Sequence, residues 1–142
     1  MADYEIILIP TDGSKAAERG IEHGLGIAAD NQADVHFIQV VDESRYGKTP
    51  ALSNYELALE EVENEIMAEL QEIAERAENK GLNVETNCCR GVPHEKIVDH
   101  AEEIDADLVV MGKHGEGEAE TPHVGSVADR VLRMAPCPVL TV

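Results

Sequence analysis

Basic residues are few in this sequence: 11 Lys and Arg stand against 29 Asp and Glu, for a formal charge of −18. A general nucleic-acid binder gains its affinity by neutralising phosphates with Lys and Arg, so this balance excludes that class. Cysteine is scarce too. Cys88, Cys89 and Cys137 form neither a disulfide framework nor a Cys-x2-Cys zinc pair, and no His-x3-His pair is present. Strand alternation sends the adjacent Cys88 and Cys89 to opposite faces, as buried or half-buried free thiols. Any apolar run of about 20 residues, the length that a bilayer span requires, is also missing. From Met1 the chain passes into the strand-like "YEIILIP" with no basic, apolar, small-residue signal pattern. The expectation is a soluble, cytoplasmic protein with no membrane partner. Its 142 residues read as one domain, 1–142, long enough to bury about two-thirds of its unfolded surface.

The carboxylates are spread out, recurring through "ELALEEVENEIMAELQEIAERAE" and "DHAEEIDAD" on what read as solvated helix faces. A dispersed acidic excess aids solubility at the cost of self-repulsion. It reads as adaptation to a salty cytoplasm, because at 1 M salt the Debye length shrinks to about 3 Å and that repulsion is screened. Dialysis into low salt is expected to unfold such a halophilic protein; full stability there, followed by circular dichroism, would remove the idea.

Apolar runs alternate with amphipathic stretches. Glu5–Pro10, Val35–Val41, Leu82–Cys89, Asp107–Gly112 and Cys137–Val142 are short, β-branched and strand-like. Most have few polar interruptions, as expected when helices cover both faces of a sheet. The pattern predicts a five-stranded parallel α/β domain with right-handed crossovers. Ser53 with Glu56 reads as a capping box opening the longest helix, whose Leu59, Val62, Ile66, Leu70, Ile73 and Ala77 recur at core-facing spacing until Gly81 ends it. Pro93 suits the first turn of a helix carrying Ile97, Val98, Ala101 and Ile104 inward. Ser126 with Asp129 is a box-like pair opening the helix of Val127, Val131 and Leu132. The segment Tyr46–Ser53 reads as a linker.

Ligands of an open parallel sheet bind beyond the carboxyl ends of its strands. Three segments fall there: "IPTDGS" after the first strand, "VVDES" after the second, and "GKHGEGEAETPHVGS" after the fourth. In the last, Gly112 and Gly115 allow positive φ and close backbone approach. Gly125 and Ser126 offer amides at a helix N-terminus carrying about half a positive charge. The spacing Gly112-x2-Gly115-x9-Gly125-Ser126 is neither a P-loop nor Gly-x-Gly-x2-Gly. On spacing alone, a phosphate cradle and a plain surface loop fit equally well.

This loop, followed by "VADRVLRMAPCPVLTV" and preceded at the chain start by "ILIPTDGS", resembles the universal stress protein family, in its nucleotide-binding branch with the Gly-x2-Gly-x9-Gly-Ser/Thr motif. The resemblance covers essentially the whole chain. It implies a three-layer, Rossmann-like sandwich of the adenine nucleotide hydrolase-like kind, with strand order 3-2-1-4-5. An adenine nucleotide, ATP or AMP or ADP, with or without Mg²⁺, is the implied ligand. Asp12 would hold the ribose or support the metal-phosphate end; alternatively, or in addition, it caps the helix starting near Ser14. Val40 would meet adenine through its backbone, Gly112 and Gly115 would lie along the ribose and phosphates, and Gly125, Ser126 and Val127 would hold the phosphate chain. Pro10, Thr11, Met111 and His114 complete the candidate set. The family also implies homodimers paired through the last strand, Cys137–Val142.

The loop interior departs from the family, with Glu116, Glu118 and Glu120 where basic and long aliphatic residues are common. One exposed Glu about 6 Å from a phosphate charge costs roughly 0.7 kcal/mol in water, and less in molar salt. Each charge-assisted N–H bond to phosphate contributes about 1.5 to 3 kcal/mol, so the acids weaken binding without abolishing it. One of them is also a candidate Mg²⁺ ligand. Lys113 is the loop's one cation, and His114 and His123 flank it; His23, His36, His94 and His100 read as structural. No residue stands out as a general base for water. The leading reading is therefore a non-enzymatic nucleotide-dependent module. A slow ATPase switch and an interaction protein that has lost nucleotide are the alternatives.

Overall fold

The computed structural model describes residues 3–43, 52–115 and 124–142, with the side chains of 52–54 left aside. Strands β1 (Ile6–Pro10), β2 (Asp34–Val41), β3 (Val84–Arg90), β4 (Leu108–Met111) and β5 (Val139–Thr141) alternate with helices α1 (Lys15–Asn31), α2 (Leu52–Glu78), α3 (Pro93–Glu103) and α4 (Ser126–Met134). The five strands form one sheet of order β3-β2-β1-β4-β5, and every pair is parallel. The third strand lies two residues later at its start than the alternation predicted, and the last is trimmed at both ends.

Each sheet face carries its own core because successive side chains point to opposite sides. On one face Ile7, Ile9, Val35 and Phe37 meet Ile21 and Leu25 of α1 and Leu59 and Leu70 of α2. On the other, Leu8, Ile38 and Val109 meet Ile97 and Ala101 of α3 and Ala128 and Val131 of α4. Connections running from β1 toward β3 thus place helices on one face, and those running toward β5 place them on the other, as right-handed crossovers require. The seam between the two directions lies between β1 and β4. Cys88 packs on the first core and Cys89 on the second. Burial, with Glu63 nearby, pushes the Cys88 thiol up to about 11, and burial also raises Cys89 and Cys137; all three stay protonated near neutrality.

Local chemistry sets the element ends. The Asp107 carboxylate accepts from the Glu5 and Ile6 amides at 2.8 and 2.9 Å, fastening the start of β1 to that of β4. Gly81, at φ +78°, takes the left-handed turn after α2 that a side chain would oppose. Pro93 occupies the first turn of α3, and Ile97, Val98 and Ala101 are buried as expected. Two helix-end expectations need correction or lie outside the described residues. In α4 the N-cap is Gly125 and makes no side-chain bond, so Ser126 is already helical. Asp129 turns instead to Arg133, 3.3 Å away one turn on, and Leu132 is 41 % exposed. Helix α2 begins at Leu52, ahead of Ser53; the Ser53 side chain, and residues 46–51 of the linker-like segment, lie outside the described residues.

One titratable pair sits under α3. His36 of β2 and His100 of α3 are in edge contact with ring centroids 6.0 Å apart, and Glu85 lies 3.5 Å from His36 Nδ1. Burial outweighs Glu85, so the pKa of His36 falls below its ordinary 6.5, and His100 adds to the fall. The unfolded chain then takes up this proton first as pH drops. Stability from neutral His36 is complete above about pH 6.5 and is lost as pH falls through the lower folded value. Between pH 7.5 and 5.5, the thermal midpoint of His36→Gln is expected to change less in the destabilising direction than that of the parent; equal slopes would assign the change to other groups.

Candidate functional site

A cavity of about 400 Å³ opens at the carboxyl ends of β1, β2 and β4, at the seam where the crossovers part. Its β1 wall is Pro10, Thr11 and Asp12. The turn that follows is held by three short side-chain bonds. Thr11 Oγ1 accepts from the Gly13 amide at 3.2 Å, Asp12 Oδ1 from the Ser14 amide at 3.0 Å, and Ser14 Oγ from the Ala17 amide at 3.1 Å. Ser14 is therefore the cap of α1, and Asp12 serves an Asx turn just ahead of it while lining the cavity. The capping role anticipated for Asp12 passes to its neighbour.

The β2 wall is a stretch of backbone. Thr11 donates to the Ile38 carbonyl at 2.9 Å, extending the β1–β2 ladder one residue past Pro10. Peptide groups alternate sides along a strand, so those of Val40 face the same way as Ile38, beyond the last paired residue of β1. Val41 faces β3 in agreement, accepting from the Gly91 amide at 3.0 Å. Val40 thus borders the cavity with main-chain polar groups turned toward it.

The β4 side is built by close contact. A Cβ on Gly112 would overlap the carbonyl carbon and oxygen of Ala16 and lie 2.8 Å from the Ala17 nitrogen; a Cβ on Gly20 would lie 2.9 Å from the Gly112 nitrogen. Gly112 does not take a left-handed φ. The requirement for glycine there is room for the α1 backbone, a correction to the expectation of positive φ. Gly125 likewise has an ordinary φ of −67°, and its amide donates to the Lys113 carbonyl, so this N–H is not offered to a ligand. Lys113 donates to the Val142 carbonyl at 2.9 Å, and Val142 to Met111 at 3.0 Å. The loop is thus tied at its base to α4 and to the end of the chain.

Ser126, Val127 and Ala128 at the start of α4 line the cavity. First-turn amides have no intrahelical acceptor, and the Gly125 N-cap supplies no side-chain bond. Helix α3 presents a second such start, its Val92 N-cap making no side-chain bond and Val92, Pro93 and His94 lining the cavity. The structure therefore gathers Pro10, Thr11, Asp12, Val40, Met111, Gly112, His114, Gly115, Ser126 and Val127 around one space, while Gly125 is not among its lining residues. Glu116, Glu118, Glu120 and His123 lie outside the described residues. Among the described residues no cluster of three or more His, Cys, Asp or Glu is arranged for a metal ion.

Asp42, His94 and Arg130 also line the cavity; Asp42 falls in the "VVDES" segment expected at the end of the second strand, whereas His94 reads as structural in the sequence and Arg130 is not among the expected residues. Arg130 had a legible signal: it is four residues after Ser126, on the same face of α4. For His94 the signal is tertiary, since only the crossover from β3 brings the start of α3 over β2.

The universal stress protein family model matches residues 3–142. Universal stress protein MJ0531 of Methanocaldococcus jannaschii is 40 % identical over 139 residues, covering 98 % of this chain and 82 % of the relative. The structure of universal stress protein UspA from Lactobacillus plantarum superposes with a TM-score of 0.90 at 29 % identity, covering 100 % of this chain and 99 % of that one. A universal stress protein solved in complex with cAMP superposes with a TM-score of 0.73 at 26 % identity, covering 99 % and 98 %. With a match along nearly its full length and this sheet order, the chain belongs to the universal stress protein family.

Proposed function

We propose that the chain binds an adenine nucleotide in the cavity between β1, β2 and β4 and acts as a ligand-dependent module of the stress response. The observation that carries this reading is the pairing of a main-chain wall at Val40 with the uncapped first turn of α4 across one cavity of about 400 Å³. Paired main-chain groups suit the edge of a purine, and free helix amides suit a phosphate. The relative solved with cAMP supports the ligand class. Asp12 lines the same cavity, and a ribose hydroxyl would donate to its carboxylate. Any Mg²⁺ would be held largely by nucleotide oxygens and water, with Asp12 or Asp42 as protein ligand.

The protein released from purification by denaturation is expected to yield a nucleotide, identified by absorbance and mass. If none is found and neither ATP, AMP nor cAMP binds in molar KCl, with or without Mg²⁺, the reading fails.

The same reading includes a cytoplasmic homodimer joined through Cys137–Val142. Strand β5 is the edge of the sheet; its Leu140 is 38 % exposed, and Leu132 and Met134 of α4 are 41 and 54 % exposed. An open edge bordered by apolar side chains is a pairing template. Sedimentation is expected to show a dimer that Leu140→Asp dissociates; a monomeric parent would remove this part. No helix among the described residues is long and apolar enough to cross a membrane.

A further inference from the structure

Acidic residues outnumber basic ones 29 to 11 here, and most described arginines have a carboxylate close by. Arg76 is 2.7 Å from Glu18, Arg90 is 3.1 and 2.6 Å from Glu56 and Glu63, and Arg133 is paired with Asp129. Arg130 differs from these three. Among the described residues no carboxylate stands within ion-pair distance of it, and it is the only Lys or Arg that lines the cavity. The other Asp, Glu, Lys or Arg side chains that line the cavity among the described residues are Asp12 and Asp42, which oppose an anion. With Asp129 turned toward Arg133, Arg130 is left lining the cavity.

Its position on α4 gives the cation an address. Helical Cα–Cβ bonds tilt toward the N-terminus, so a long side chain at position 130 lies over the turn that begins at Ser126. The first-turn amides and the guanidinium are then neighbours along one face of the helix, about one turn apart, or roughly 5 Å. That separation is on the scale of a polyphosphate chain, so that with one phosphate on the amides a phosphate further along the chain reaches the planar fork of Arg130.

We propose that Arg130 is the binding residue for the phosphates beyond the first, and that it makes the site select nucleoside di- and triphosphates over monophosphates and cyclic nucleotides. This rests on the adenine-nucleotide reading above. A monophosphate satisfies the amides alone and leaves Arg130 in solvent. A cyclic phosphodiester is further disfavoured, because its single phosphate is folded back on the ribose and cannot extend along the helix.

The test is calorimetric titration of ATP, ADP, AMP, cAMP and adenosine, at one fixed KCl concentration, into the full-length parent, Arg130→Gln, Arg130→Lys and the control Arg133→Gln. Circular dichroism would verify that each variant is folded, which the exposure of position 130 favours. ATP is expected to bind the parent more tightly than AMP or cAMP. Arg130→Gln is expected to weaken ATP about tenfold, which is 1.4 kcal/mol, while AMP and adenosine stay within about twofold. Arg130→Lys should retain part of the preference through its charge, and Arg133→Gln should leave every affinity unchanged. If the nucleotides bind but the ATP-to-AMP ratio is the same in the parent and Arg130→Gln, the role of Arg130 is overturned and the site stands. If no nucleotide or nucleoside binds the parent, the site itself is overturned, and Arg130 with it.

Discussion

Replacing Phe37 with Ala is expected to lower the unfolding free energy by about 4 kcal/mol. Phe37 is the only phenylalanine in a chain with no tryptophan. It is fully buried in the middle of β2, in the core shared with Ile9, Leu25 and Leu70. The other rings against this core, Tyr4 and Tyr55, are only partly buried, and the surrounding aliphatic side chains would collapse only partly. The loss combines transfer free energy with the cavity left behind. In a domain of this size it would lower the melting temperature by roughly 12 °C. Phe37→Leu keeps most of the volume and should cost under about 1.5 kcal/mol. Urea denaturation of both variants in molar KCl is the measurement. Similar midpoints for the two would mean that the volume of this ring does not govern the core.

Gly112→Ala should be nearly as damaging although it adds one methyl group. The new Cβ would meet the Ala16 carbonyl and the Ala17 nitrogen, which are backbone atoms of α1 and cannot rotate aside. Either the helix lifts from the sheet or the end of β4 is displaced. Overpacking of this kind costs about 3 kcal/mol, and it falls where the loop meets Asp12 and Met111, so nucleotide affinity should drop at least tenfold under conditions where the variant is folded. Gly26→Ala is the control: its Cβ would meet nothing within 4 Å, and an alanine inside α1 should be neutral or stabilising by up to about 1 kcal/mol. Thermal melts and nucleotide titration separate the two outcomes. A Gly112→Ala variant as stable as its parent would show that α1 and β4 yield more readily than their packing implies.

The strands were readable because burial on both sheet faces leaves an unbroken apolar run, as in Ile6–Pro10 and Leu108–Met111. The helix faces were readable from period alone, Leu59, Leu70 and Ala77 all proving fully buried. Strand order came from family resemblance, since pairing is a long-range property that no local pattern encodes. Helix starts were harder. Asp12 and Ser14 are both good caps, and only the actual turn shows that Asp12 bonds Ser14 while Ser14 bonds Ala17. Gly112 shows a different limit: the glycine was identified, but its cause lies in α1, nearly 100 residues earlier in the chain, so spacing within the loop pointed to φ instead. Asp42, His94 and Arg130 reach the cavity from three different elements, and their convergence follows from the crossovers. Arg130 was hidden further by its surroundings, because in a sequence rich in charge an isolated arginine looks like ordinary surface until its neighbours are seen to be paired elsewhere.

The bond from the Gly125 amide to the Lys113 carbonyl fastens the two margins of the intervening segment together. Once those margins are fixed, doubling the number of residues between them adds only about 0.6 kcal/mol of closure entropy. The cost of holding the start of α4 against the end of β4 is therefore only weakly set by how many residues lie between them.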